Sequence, residues 1–373
     1  MVREQRAASD VGLDVFLVVL AARLCWDRPK LFVAMPFPGF VYYTAELVQY
    51  RNARASFTHA LDRVYQSVTG GTQDVYFETT FHDAVEQETS LPGWRQEYRQ
   101  VSTGGYDGRT AAILLPGVEI LRETISVGTE QAFSAPEGSV IFYYYPKLDE
   151  SELARGEKAL GVSGFALNWT NRIGFMDAGS DLLMLVLRRD AICDEYHSSK
   201  AHLVEAPLEH AAFLADWLLS LLKAASQQSC PYAKENVDDV LADVITDRFE
   251  FLFQKSVVRE TPQIAEAEKI YKRIRDRIFD APDRPHTVRS LSRDLGVSAF
   301  NLRASCQSFS QIPLDKMLTL LRLNGARRDL LHARCAPRKV SDIAMDWGFF
   351  HWSRFALRYR SLFGETPSET LRG

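Results

Sequence analysis

The stretch VSDIAMDWGFFHWSRFALRYRSLFGETP, residues 340–367, decides how this chain is read. It opens on a short helical pattern in which Ile343, Ala344 and Trp347 share one face. Gly348 then ends the helix, because glycine alone turns through left-handed backbone angles without steric cost. A second helix is predicted beyond it, with Phe355, Tyr359 and Leu362 recurring at the i, i+4, i+7 spacing of a buried stripe. Ser353, Arg354, Leu357 and Arg360 point away from that stripe and face whatever the unit meets. Helix, glycine turn, helix is the unit that lays its second helix in the major groove of DNA, although two-helix units also occur in proteins that never touch DNA.

Upstream, residues 288–309, VRSLSRDLGVSAFNLRASCQSF, repeat the pattern. Val288, Leu291 and Leu295 form the first face, Gly296 makes the turn, and Leu302, Cys306 and Phe309 form the second stripe. Ser298 stands where an N-cap belongs, and Phe300, Asn301, Ala304 and Gln307 face outward. Between the copies runs PLDKMLTLLRLNGARRDLLHA, predicted as a single helix of about 28 Å at 1.5 Å rise per residue. One turn of B-DNA is about 34 Å, so such a rod suits two readers in successive major-groove segments.

On these residues the block 262–373 resembles the two-unit DNA-binding domain of AraC/XylS-type transcriptional regulators. The signature GFFHWSRFALRYRSLFGETPSETL carries the family's glycine–phenylalanine turn, stripe and terminal FG-x-x-P-S close. More narrowly, NGARRDLL, AMDWGFFHWSRFA and LFGETPSETL are similar to the regulators of ethanolamine-utilisation operons. A weaker likeness runs through LPGWRQEYRQVSTGGYDGR and LLPGVEILRETIS. The chain departs from the family at Leu357 and Ala304, where arginine or a polar residue is common, at Cys306 in place of a bulky aromatic, and at Gln311 in place of glycine.

Charge divides the chain in the same place. From Pro262 to the end there are 20 Lys and Arg against 12 Asp and Glu; the remainder of the 44 basic and 48 acidic residues leaves 24 against 36. A basic module on an acidic body suits phosphate binding by one end. The five cysteines are scattered and odd in number, which predicts a reducing compartment with neither disulfide framework nor zinc site. The apolar run VFLVVLAA at 15–22 is too short to span a bilayer, and Asp14 argues against a secretory segment. A cytoplasmic protein without membrane contact is expected. Residues 1–73 read as a poorly defined N-terminal extension, with a helix at 55–67 carrying His59, and Met35 as an alternative natural start.

Residues 74–190 read as a β-rich effector-sensing domain. DVYFETTF, WRQEYRQVS, AAILLPGVEILRETIS, SVIFYYY, GFALNWT and DLLMLVLR are strand-like and punctuated by Pro and Gly. Short strands with frequent turns predict a β-barrel or jelly roll, which can enclose a ligand. Trp94, Tyr98, Phe142, Tyr144 and Trp169, with Phe165 and Phe175, are the candidate effector-lining residues, set against the plainer reading of ordinary core aromatics. The strand region offers only His82 and no H-x-H pair, and the chain has no G-x-S-x-G elbow, Walker loop or C-x-x-C, so no catalytic residue, metal or cofactor is expected. Residues 191–261 read as a helical connector built on Phe213–Leu222 and Val237–Phe253 with a break at Ser229-Cys230-Pro231, which packs on its own domain or dimerises; the polar stretch QKSVVRETPQ then links it to the C-terminal block.

The fold expected is therefore α+β and multidomain: a β-barrel or jelly-roll-like sensor, a helical connector and an all-α block with helix-turn-helix units at 288–309 and 340–363. The function expected is a sequence-specific DNA-binding regulator, an activator by the resemblance. The rival is a small-molecule-binding or enzymatic barrel whose helical block makes protein–protein contacts. Expected at base edges are Phe300, Asn301, Ala304, Ser353, Arg354 and Leu357, with Gln307 also on the DNA-binding face, His351 and Trp352 at the start of the second reader, where Trp352 equally suits the core, and Arg303, Arg358 and Arg360 on phosphates. Expected partners are double-stranded promoter DNA, RNA polymerase, a small-molecule effector and a second copy of the chain.

Overall fold

A computed structural model describes residues 76–91, 93–146, 163–167, 169–188, 203–227, 237–258, 262–284, 286–335 and 338–373. The helix expected at 55–67, the run at 15–22, Met35 and the break at Ser229-Cys230-Pro231 lie outside the described residues.

Eleven strands are described: β1 Tyr76–Phe81, β2 Arg95–Gln100, β3 Gly108–Leu115, β4 Val118–Ile125, β5 Thr129–Ser134, β6 Ser139–Tyr144, β7 Ser163–Leu167, β8 Arg172–Met176, β9 Ser180–Arg188, β10 Leu203–Glu205 and β11 Val257–Val258. They form an eight-stranded sheet in the order β1-β3-β4-β9-β6-β7-β10-β11 and a three-stranded sheet, β2-β5-β8. The β3–β4 hairpin turns at Pro116-Gly117, where Gly117 takes φ 71°, and Ile113 pairs with Ile120. In β9 Leu183, Leu185 and Leu187 join one core, and Leu182, Met184 and Val186 another. Both faces of the large sheet are buried, which is why DLLMLVLR is continuously apolar rather than alternating.

The expected barrel does not form: the large sheet is not closed, and the small sheet is a separate layer against it. Helices α2 (Leu208–Ser226) and α3 (Val237–Gln254) cover one face, and the small sheet covers the other. Burial is complete without closure. The helices expected as a connector are thus a layer of the β-rich unit, and QKSVVRETPQ, expected as a plain linker, contributes β11, which pairs with β10. Strand β5 escaped the sequence reading because TEQAFS carries Glu130 and Ala132 on the face that meets the C-terminal block, and β8 because RIGFM is only five residues long with Gly174 at its centre. A one-turn helix, α1 (Ala84–Gln87), precedes β2 and is capped by Asp83, whose Oδ1 accepts from Val85 N at 2.8 Å.

The C-terminal block comprises α4 (Pro262–Asp280), α5 (Val288–Leu295), α6 (Ala299–Ser310), α7 (Leu314–His332), a 3-10 turn (Ala333–Cys335), α8 (Val340–Asp346), α9 (Trp352–Phe363) and α10 (Pro367–Arg372). The rod α7 has the nineteen residues expected of it. It is buried on nearly all sides, Leu314, Met317, Leu321, Asn324, Gly325 and Leu330 included, because the first glycine-hinged pair, the second, and the small sheet each take part of its surface. Among the described residues no helix is long and apolar enough to cross a membrane.

Candidate nucleic-acid interface

Each unit is set by local chemistry. In the first, Thr287 and Ser290 form a reciprocal capping box on α5, and Gly296 ends that helix at φ 65°. The Ser298 hydroxyl then accepts from Asn301 N at 3.1 Å and starts α6. Leu302 and Cys306 are fully buried, and Phe309 is half-buried. Gln311 occupies a left-handed conformation (φ 57°) where the family commonly has glycine, a strain of about 1–2 kcal/mol for a residue with a Cβ. Its amide still donates to Gln307 O at 2.9 Å.

In the second unit Gly348 takes φ 71°, and Phe349 N donates back to Ala344 O at 2.8 Å, closing the end of α8. Phe349, Phe355, Tyr359 and Phe363 then pack ring against ring, with neighbouring centroids 4.6–5.7 Å apart. This buried column fixes the direction of α9. The opposite face is open: His351, Trp352, Ser353, Arg354, Leu357, Arg358 and Arg360 are all exposed. So are Phe300, Asn301, Arg303, Ala304 and Gln307 on α6. Trp352, for which an inward orientation was also conceivable, turns outward.

The two helices correspond position by position. Leu302 and Cys306 match Phe355 and Tyr359; outward, Phe300 matches Ser353, Asn301 matches Arg354, and Ala304 matches Leu357. Charge is unevenly used. Arg303 lies 3.6 Å from Asp315, whereas Arg354 and Arg358 have no carboxylate partner among the described residues. Arg322 is half-buried, and burial first, then the guanidinium of Arg358, draws its pKa below the ordinary arginine value.

On its other side the rod is tied to the β-rich unit. β2 is an edge strand whose outward amides are met by side chains rather than by another strand. Tyr98 N donates to Glu88 Oε1 at 2.7 Å, and Gln100 N donates to Asn324 Oδ1 at 2.8 Å while Asn324 Nδ2 donates to Gln100 O at 2.8 Å. Gln100 Nε2 reaches Leu362 O in the last turn of α9 at 2.8 Å. Arg327 pairs with Asp83 at 2.6 Å, and Arg328 donates to Glu88 at 2.7 Å. Arg275 of α4 pairs with Glu97 and lies 3.1 Å from the fully buried Glu130; Arg172 of β8 pairs with Glu268 of α4 at 2.8 Å. Burial alone would raise the Glu97 carboxyl, but Arg99, Arg275 and Arg328 around it hold it below its ordinary value. Apart from Tyr98, expected as an effector-lining residue, none of these partners was singled out from the sequence. The only signal was Asn324, a polar residue inside an otherwise apolar helical run.

The candidate effector aromatics do not share one site. Trp94 and Trp169 line the space between the sheets with Phe133 between them, its ring centroid 6.4 Å from one and 5.2 Å from the other. Tyr98 lies beside this core, its hydroxyl donating to Glu123 Oε1 at 2.6 Å. Phe142, Tyr144 and Phe165 lie on the far face of the large sheet against the helices, and Phe175 packs on Tyr271 and Phe309 of the C-terminal block. Residues two apart on a strand share a face and adjacent ones do not, so Phe142 and Tyr144 cannot join Trp169 in one wall, whereas Tyr143 stacks on it at 5.8 Å.

Residues 291–373 match the family described as helix-turn-helix domain. The chain is 42% identical over 88 residues to the "Probable thc operon regulatory protein" of Rhodococcus erythropolis, which is 24% of this chain and 26% of that protein. The C-terminal block belongs to the AraC/XylS family. The chain is also 26% identical over 189 residues to "XylDLEGF operon transcriptional activator 3" of Pseudomonas putida, covering 49% of this chain and 55% of the activator. Among solved structures, a probable AraC family transcriptional regulator from Rhodopseudomonas palustris CGA009 is 30% identical, with a TM-score of 0.24, over 28% of this chain and 95% of that one. The chain thus spans about a quarter to a half of the length of these curated relatives, and the AraC/XylS block is where the likeness concentrates.

Proposed function

We propose that the chain is a transcriptional regulator, most simply an activator, that grips promoter DNA with both glycine-hinged units of its AraC/XylS block. One observation carries this reading: two matched helices, each anchored by a buried stripe and each exposing its opposite face, held on a single rod. In the proposed arrangement domain 262–373 binds DNA, 74–190 senses a small metabolite, and 191–261 completes the sensor or pairs two copies. Phe300, Asn301, Ala304, Gln307, Ser353, Arg354 and Leu357 meet bases, and Arg303, Arg358 and Arg360 meet phosphates. The narrower likeness of NGARRDLL and LFGETPSETL to ethanolamine-operon regulators makes a small amine the effector we favour. A cytoplasmic setting and contact with RNA polymerase go with this reading.

The small sheet suits it to signalling. Its inner face lines the space holding Trp94 and Trp169; its outer residues Ala132, Ile173 and Phe175 pack into the C-terminal block. A ligand acts only by binding one arrangement of these layers better than another. The test is a titration on upstream promoter DNA at 50 and 200 mM salt. With several phosphate contacts the logarithm of the affinity falls linearly with log salt, by about a factor of ten or more in affinity across that range. Affinity indifferent to salt, or no affinity at all, refutes the reading in favour of a helical block that contacts proteins.

A further inference from the structure

We infer that the two units read thymine C5-methyl groups through Phe300 and Leu357, each beside one polar base reader, Asn301 in the first unit and Arg354 in the second. This rests on the DNA-binding reading and names what is read. Phe300 is 78% exposed and Leu357 71%, the two highest values among the exposed large apolar side chains described; five of those seven lie on the two units. Single exposed hydrophobics need no explanation, but Phe300, Trp352 and Leu357 together on the outward faces of the two matched helices do.

The neighbours say what covers them. Leu357 sits one turn after Arg354 and next to Arg358, neither of which has a carboxylate partner among the described residues. A protein partner or a second copy that covered Leu357 would have to neutralise those cations; a phosphate backbone does so while presenting methyl groups in its major groove. Phe300 lies in the first turn of α6, and the first turns of a recognition helix are the part that reaches base edges. The polar readers differ in kind: an asparagine amide matches adenine N6 and N7, a guanidinium matches guanine O6 and N7, and an apolar side chain finds only the thymine methyl. The site inferred is therefore asymmetric. The first unit's half is built of A·T pairs, Asn301 on adenine and Phe300 on thymine, with Ala304 alongside. The second unit's half carries a guanine for Arg354 and a thymine for Leu357.

The experiment selects duplexes from a random library with the full-length chain, then resynthesises the enriched duplex with uracil for thymine at single positions. Uracil keeps every hydrogen bond and removes only the methyl. One buried methyl is worth about a fourfold change in affinity. A loss of about three- to fivefold is expected at one thymine in each half. Phe300→Ser, which installs the residue that the matched position Ser353 carries, should abolish the loss in the first half only; Leu357→Ala should do so in the second half only. Both residues are exposed, so neither change opens the core. Uracil tolerated at every position, or a penalty that persists in the variants, overturns the inference while leaving DNA binding intact. Failure to enrich any duplex overturns the DNA-binding reading instead.

Discussion

Replacing Asn324 by leucine tests how the rod is held. Asn324 is 8% exposed and Gln100 3%, and the asparagine amide satisfies both the N–H and the C=O of Gln100 at 2.8 Å. Leucine is branched at the same carbon, though larger, and has a better helix propensity, so α7 itself should persist. What is lost is the pairing of two buried backbone groups on an edge strand. Each orphan costs about 1–3 kcal/mol, or about 2–6 kcal/mol together, unless the layers part and admit water. Parting is the cheaper course, because the surrounding ion pairs, Arg327–Asp83 and Arg275–Glu130 among them, regain hydration when opened and so hold weakly against it. Hydrogen exchange reads the outcome: the Gln100 amide should exchange at least about 30-fold faster, from 2 kcal/mol at 1.4 kcal/mol per tenfold, while Ile120 within the large sheet keeps its rate. An unchanged Gln100 rate, or an equal acceleration at both amides, would refute the idea that Asn324 locally clamps the two units together.

Gly325→Ala should destabilise the C-terminal block even though alanine favours helix by about 1 kcal/mol. A Cβ there would fall 2.1 Å from the Trp347 ring, which Asp329 holds through a 2.8 Å bond to Nε1, and overpacking of this kind costs about 1–3 kcal/mol or more. A lowered Tm is expected, and a raised one refutes it. Glu123→Gln should stabilise the β-rich unit near neutrality. Burial raises the Glu123 carboxyl above its ordinary value although Tyr98, Gln87 and Gln131 donate to it. With its folded value above the unfolded one, the stability it contributes is full below the unfolded value and is lost as pH rises through the folded one. The Tm advantage of the glutamine variant should therefore grow from pH 4 toward pH 8 and vanish at the acid end; an advantage independent of pH contradicts this assignment.

Residues within a few positions of each other determined the two hinged units. Glycines at 296 and 348, the cap at Ser298 and the stripes on α6 and α9 are local, so the sequence alone specified which faces would be buried and which presented. The strands of the large sheet were legible for the same reason, apart from the short pieces β10 and β11. Tertiary structure decided what is non-local. Whether the strands close into a barrel depends on what covers each face, and α2, α3 and the small sheet cover both. Which aromatics share an interior depends on strand parity, which a run buried on both sides does not display; hence Phe142 parts from Trp169 and Tyr143 joins it. The clamp between Gln100 and Asn324 joins residues 224 positions apart, and its energy lies in unmet backbone groups of an edge strand. No pattern of neighbouring residues encodes where such an edge will meet another helix.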